Sequence, residues 1–231
     1  MDHFKRIYSY HAATYYQLIA REDPDGNLPA SLKRITSFAG KRWLDLATGT
    51  GRLPLQLAGA TARAVGVDLH ADMLRQSRVQ RARVRGVWTL AQGDMCRVPL
   101  VSGWADIVTV GWAIGHFTRW YADDWPIPAG RVLRELHRLA APNGVIVIIE
   151  TVGTGTLTPG PPNLRLAAYY TWLEQEWGFA GQVVSCDLSF SSVDEAAALT
   201  GFFFGTDMAD RVRANHWARL QGWAGLWSKR V

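Results

Sequence analysis

Cysteine is almost missing from this chain of 231 residues: there are two, Cys96 and Cys186, far apart and without CxxC spacing. That excludes a disulfide framework and a cysteine-built zinc site, and leaves both as candidate buried small hydrophobes. No metal is expected elsewhere. Long apolar runs are missing too. No window approaches the eighteen or so apolar residues of a membrane span, and the opening MDHFKRIYSYHAATYYQLIARED has no apolar stretch of signal-peptide length. A cytoplasmic protein without membrane contact is expected. Lysine is scarce beside arginine, and the densest basic group, Arg75, Arg78, Arg81, Arg83 and Arg85, falls on and just after one expected helix. The net charge of +5 therefore reads as a solvated helix face, not as a track for nucleic acid. What is abundant is apolar: 48% hydrophobic residues, ample for one core, so a single domain over residues 1–231 is expected.

A third glycine is missing from the most telling segment. In Trp43 to Arg52, WLDLATGTGR, an apolar strand carrying Asp45 passes into a turn with Gly49 and Gly51, and an apolar helix start, RLPLQLA, follows. At such a turn glycine lets backbone approach a ligand, and a helix start offers unpaired N–H groups. A dinucleotide fingerprint needs GxGxxG, but Pro54 stands where the last glycine belongs. Proline is tolerated there only because it lies in the first helical turn. A second apolar run, Ala64 to Leu69 (AVGVDL), carries Asp68 about twenty residues past the turn, where a Rossmann-like site places a carboxylate for two ribose hydroxyls.

The turn resembles motif I of the class I S-adenosylmethionine (SAM) dependent methyltransferases, in which an acid is followed after three residues by Gly-x-Gly. The resemblance continues in register. Leu90 to Met95 (LAQGDM) resembles the third motif, with Asp94 taking the adenine amino group and Met95 meeting the ring edge. Ala105 to His116 (ADIVTVGWAIGH) resembles the fourth strand and the loop beside the methionine part of SAM. Leu139 to Glu150 (LAAPNGVIVIIE) resembles the turn and fifth strand, with Asn143 where many relatives carry glycine. Asn accepts positive φ, so the turn survives. Carried over, the resemblance implies a donor site at Asp45, Ala47, Gly49, Gly51, Asp68, Leu69, Met73, Asp94, Met95 and Gly111. Tyr15 and Tyr16 are candidates to face the sulfonium. SAM is the implied cofactor and S-adenosyl-L-homocysteine (SAH) the product. Over nearly the whole chain the order of segments also resembles a group of bacterial small-molecule methyltransferases with a YxxxxxED-like segment, here Tyr16 to Asp23, and a GWxxGH loop.

Strands near 42–47, 64–69, 87–92, 106–111 and 144–150 alternate with helices near 52–59, 71–84 and 128–140, after a helix over Asn27 to Phe38. This α/β order implies a parallel sheet with helices on both faces. Gln182 to Phe190 alternates like a half-buried strand, and Trp223 to Trp227 reads as the last one. Together they imply a doubly wound, seven-stranded, mostly parallel sheet with an antiparallel last strand pair. Residues 1–38 are expected to form a helical lid, 39–150 the SAM-binding core, and 151–231 the acceptor-covering region with the last strands. Thr151 to Pro162 (TVGTGTLTPGPP) reads as a long functional loop, Asn163 as the cap of the next helix, and Ser192 with Glu195 as a capping box.

The family chemistry is methyl transfer to an oxygen, nitrogen or carbon of a small-molecule acceptor, here expected to be aromatic, by a monomer or homodimer. A general base is needed only where the acceptor atom is protonated, and His116 is the candidate; Glu150 is a second base or an anchor for a cationic acceptor. Two alternatives stand: a SAM-binding protein without methylation activity, and an RNA methyltransferase. Against nucleobase chemistry, Gly111, Trp112 and Ala113 replace the Asn- or Asp-ProPro of amino-methylating enzymes, and neither cysteine follows a proline. Asp68→Ala is expected to weaken SAM binding by about 1.5–3 kcal/mol, the usual cost of losing a charged acceptor. Unchanged affinity by calorimetry would mean that the motifs are out of register.

Overall fold

Five runs rich in Val, Ile and Leu build the centre of the sheet. In the computed structural model, which describes residues 1–231, β1 (Arg42–Leu46), β2 (Arg63–Asp68), β3 (Thr89–Gln92), β4 (Ala105–Gly111) and β5 (Ala140–Thr154) lie parallel to their neighbours in the order β3-β2-β1-β4-β5. Beyond β5 the sheet continues with β9 (Gly222–Arg230) and β6 (Ala180–Ser185), and β9 runs antiparallel to both. The result is a seven-stranded, mostly parallel α/β sheet with an antiparallel pair at one edge.

Alternation along the strands sends side chains to opposite faces. Ile146 and Ile148 of β5 pack with Leu133 and Leu136 of α7 (Pro126–Leu139) and Tyr169 and Leu173 of α8 (Leu164–Gln175). Val145, Val147 and Ile149 face the other way, toward Leu28 and Leu32 of α3 (Asn27–Ile35) and Leu53 and Leu57 of α4 (Arg52–Leu57). Both faces are covered, which is why the central strands read as near-continuous apolar runs. A separate apolar cluster joins Leu18 of α2 (Ala12–Ile19) to Leu188, Ala197 and Val212, the last two from α9 (Val193–Phe204) and α10 (Thr206–Ala214).

Four sequence expectations shift in detail. The Asn27 helix stops at Ile35, freeing Phe38 to set its ring edge-on against Trp43, 5.2 Å between centroids. The strand expected over Gln182 to Phe190 is broken into β6 and a two-residue β7 (Leu188–Ser189), which pairs with β8 (Arg219–Leu220). Asp187 makes the break: its carboxylate accepts from Arg219 Nε at 2.9 Å and from the Gly222 amide at 3.2 Å, turning the chain. The last strand runs to Arg230, longer than Trp223 to Trp227, because β5 supplies a partner along its whole length. For the same reason Thr151 and Thr154 pair with Ala224 and Gly222, and the glycine- and proline-rich loop is shorter than 151–162. Asn143 does take positive φ, 65°. Asn163 caps α8 through the Leu166 amide at 3.0 Å; Ser192 accepts the Glu195 amide at 3.1 Å while Glu195 reaches back to Ser191.

Candidate active site

The glycine turn stands on a buried polar string. Trp43, fully buried, donates its indole N–H to Thr109 of β4 at 2.9 Å; Thr109 donates its hydroxyl to Asp45 Oδ1 at 2.6 Å; Thr48 donates to Asp45 Oδ2 at 2.6 Å. Burial pushes the Asp45 carboxyl up to about 7, against the two hydroxyl donors. With β1 tied to β4 in this way, the chain turns through left-handed backbone at Ala47 (φ 51°), Gly49 (φ 57°) and Gly51 (φ 91°). At Gly51 a Cβ would also lie 2.7 Å from the Ser77 hydroxyl of α5 (Ala71–Arg83). That glycine serves helix packing.

Asp68, ending β2, ties the next loop to the turn. Its Oδ2 accepts the Gly49 amide and its Oδ1 the His70 amide, each at 2.8 Å. Burial nevertheless raises its carboxyl above the usual range, and no cation pairs with it. Asp94, after β3, accepts the Cys96 amide at 2.8 Å.

Around these loops lies a cavity of about 230 Å³. Of the residues singled out from the sequence, it gathers Ala47, Gly49, Asp68, Leu69, Met73, Asp94, Met95, Gly111, Tyr15 and His116. Asp45 reaches only a small adjoining cavity of about 30 Å³, which it shares with Thr50 and Arg52. Tyr16, Gly51 and Glu150 line neither. Glu150 points under the loop after β4, where Oε1 accepts the Gly115 amide at 2.7 Å. A base or anchor must reach the acceptor, so Glu150 is not placed for either task. It holds in position the short helical turn Ile114–His116 that carries His116.

Several cavity residues escaped sequence reasoning. Lys5 is one of them; it comes from α1 (His3–Tyr10) together with Tyr8, one turn apart on one helix face of the segment expected to form the lid. Tyr8 Oη and His116 Nε2 are 2.8 Å apart in a hydrogen bond. The His116 ring stacks on Trp120 of α6 (Phe117–Trp120), 5.0 Å between centroids and 11° off parallel. Burial holds His116 down to about 4, so the imidazole is neutral near pH 7. Trp112, at φ 52°, lines both cavities and lies beneath the Arg52 guanidinium at 3.7 Å. Arg52 is largely buried, pairs with Glu22 at 2.7 Å, and borders the small cavity where Thr50 Oγ1 is buried without a partner.

Residues 44–148 match the family described as "Methyltransferase domain". Over these residues the chain is similar to that family of methyltransferase domains. A demethylmenaquinone methyltransferase of Thermus thermophilus is 31% identical over 150 residues, 64% of this chain and 61% of that protein. A malonyl-[acyl-carrier protein] O-methyltransferase of Legionella pneumophila is 29% identical over 157 residues, 67% of this chain and 51% of that protein. The chain thus spans between half and two thirds of the length of these curated relatives. The crystal structure of a SAM-dependent methyltransferase from Aquifex aeolicus shares the fold, with a TM-score of 0.58 at 14% identity, covering 95% of this chain and 98% of that one.

SAM is the cofactor that the methyltransferase match implies, and the side chains present fit it. A Cβ at Gly49 would meet nothing closer than 3.9 Å, so the turn leaves its cavity side open. Buried Asp68 has no cation, and the buried Thr50 hydroxyl has no partner. Leu69, Met73 and Met95 supply an apolar wall between the two acids at the ends of β2 and β3.

Glu150 gives the domain a pH signature. Burial raises it to about 8, above the usual carboxylate value near 4.3. The folded state therefore keeps a proton that the unfolded chain has released, so stability from this group is full below the unfolded pKa and falls as pH rises through about 8. Glu150→Gln keeps an acceptor for the Gly115 amide and removes the titration. Denaturant unfolding at about pH 6 and about pH 9 is expected to show a smaller loss of stability in the variant than in the unsubstituted protein; equal losses would contradict the assignment.

Proposed function

We propose that this protein transfers the methyl group of SAM to a small-molecule acceptor bearing an aromatic ring, bound under the N-terminal helices. One observation carries the reading: a single cavity has the family's donor loops on one side and, on the other, a wall of Tyr8, His116, Phe117, Trp120 and Tyr121. Curated relatives named demethylmenaquinone methyltransferase favour a small molecule. The arginines of α5 are partly engaged within the chain, Arg75 with Asp72 and Arg81 with the Trp88 carbonyl, which does not favour RNA.

In this reading the whole chain acts as one unit, with residues 1–38 as lid, 39–150 as donor core and 151–231 completing the cover. SAM supplies a methyl carbon on a sulfonium that loses its charge on transfer. Asp68 holds the ribose hydroxyls, and Asp94 with Met95 holds the adenine. Asp45, Ala47, Gly49 and Gly111 frame the methionine end, where Arg52 and the Thr50 hydroxyl offer donors to its carboxylate. Tyr15 lines both cavities and so faces the junction between them. Holding both reactants in line supplies roughly 7–11 kcal/mol of the barrier. His116, kept neutral, takes the proton from an acceptor that carries one.

The first test is titration with SAH by calorimetry, expected to give micromolar dissociation, about −8 kcal/mol, followed by assay of SAH formation with aromatic acceptors. No heat would remove the donor reading; binding without SAH formation from any acceptor would leave a SAM-binding protein. His116→Ala is expected to lower turnover by roughly 10²–10⁴ with SAH affinity retained. Unchanged turnover, or an equal loss of SAH affinity, would deny His116 the role of base.

A further inference from the structure

Lys5 is the one lysine that lines the cavity, and its ammonium is unspent. Nζ makes no ion pair or hydrogen bond within the protein; it lies over the Trp120 ring, 4.6 Å from the centroid. The nearest acid along its own helix is Asp2, and that carboxylate is already engaged. Asp2 Oδ2 accepts from Arg119 Nε and Oδ1 from the Trp120 indole, each at 3.1 Å, while Oδ1 also caps α1 through the Phe4 amide at 3.0 Å. The cavity's other acids, Asp68 and Asp94, sit at the ends of β2 and β3 and accept backbone amides there. On the α6 side the walls are flat and aromatic, Phe117, Trp120 and Tyr121, and the one basic side chain besides Lys5 on that wall is His116, which is neutral.

We propose that the acceptor carries an anionic group, a carboxylate or an ionised phenol, on a planar ring, and that Lys5 selects it. This rests on the methyl-transfer reading of the same cavity and names its substrate class. An aromatic ring such as Trp120 would otherwise attract a cationic amine. Here that face is occupied by Lys5, so an ammonium acceptor meets a like charge while an anion meets an unpaired cation.

The test uses three matched probes titrated by calorimetry into the full-length protein saturated with SAH: 1-naphthoate, 1-naphthamide and 1-naphthylmethylamine. Naphthoate is expected to bind about tenfold or more tightly than the amide, and the amine most weakly. In Lys5→Met the advantage of naphthoate over the amide is expected to vanish; in Lys5→Arg it persists. Equal binding of the acid and the amide, tighter binding of the amine, no binding of any probe, or an advantage that survives in Lys5→Met would each overturn the proposal. The SAH titration that precedes the probes separates the two readings. Absence of SAH binding removes the donor site itself, whereas SAH binding without a preference for naphthoate removes only the role of Lys5.

Discussion

Everything at the carboxyl end of this sheet depends on the Asp45 carboxylate, buried without a cation between the hydroxyls of Thr48 and Thr109. A buried carboxyl is costly unless its oxygens are occupied, and here each oxygen has one short donor. The two donors come from different places, one from the turn after β1 and one from β4, so satisfying the acid fixes the turn against the neighbouring strand. The packing follows. Thr48 occupies the space over Gly66 so closely that a Cβ there would lie 2.8 Å from its hydroxyl, and the Thr48 amide bonds to the Val67 carbonyl at 3.0 Å. One acid thereby registers β1, β2 and β4 at the point where their loops open into the cavity.

The same device recurs at the end of β2 and within β5. Asp68 takes amides from the loops after β1 and β2, and Glu150 takes the amide of Gly115 after β4. All three acids are raised by burial. The floor of the site is thus held by buried bonds whose loss leaves an unsatisfied polar group, worth about 1–3 kcal/mol each. The cover is held differently. His3 reaches the Phe203 carbonyl, Ser9 meets His70, and the Ala12 amide meets Asp72, all at 3.0–3.3 Å and only partly buried. Bonds of that kind contribute about 0.5–1.5 kcal/mol.

The parallel core was legible because strands buried on both faces write their position into the sequence as short apolar runs, from Trp43–Leu46 to Val145–Ile149. The donor loops were legible because acid and glycine spacing along one segment is local information. What stayed hidden depends on residues far apart in the chain. The break at Asp187 requires Arg219 and Gly222 as partners, and the length of β5 requires β9. Glu150 ends an apolar run and so looks like a residue facing the site; only the path of the Gly115 loop shows it turned beneath. Lys5 and Tyr8 meet a loop more than a hundred residues away, and nothing in their own neighbourhood foretells that contact.

The charges in the cavity form a gradient that follows from these placements. Carboxylates stand at the β2 and β3 ends, while a neutral imidazole and a lysine line the side built by α1 and α6. Raised acids and a lowered histidine all report the same weakly screening interior, in which charge placed on a reactant is not hidden by water. On the proposed reading, a cationic donor lies toward the carboxylate end and an anionic acceptor toward the lysine. Orientation can supply roughly 7–11 kcal/mol of the barrier in an in-line transfer. On that reading, the arrangement of charge along the cavity adds to the positioning that the fold supplies.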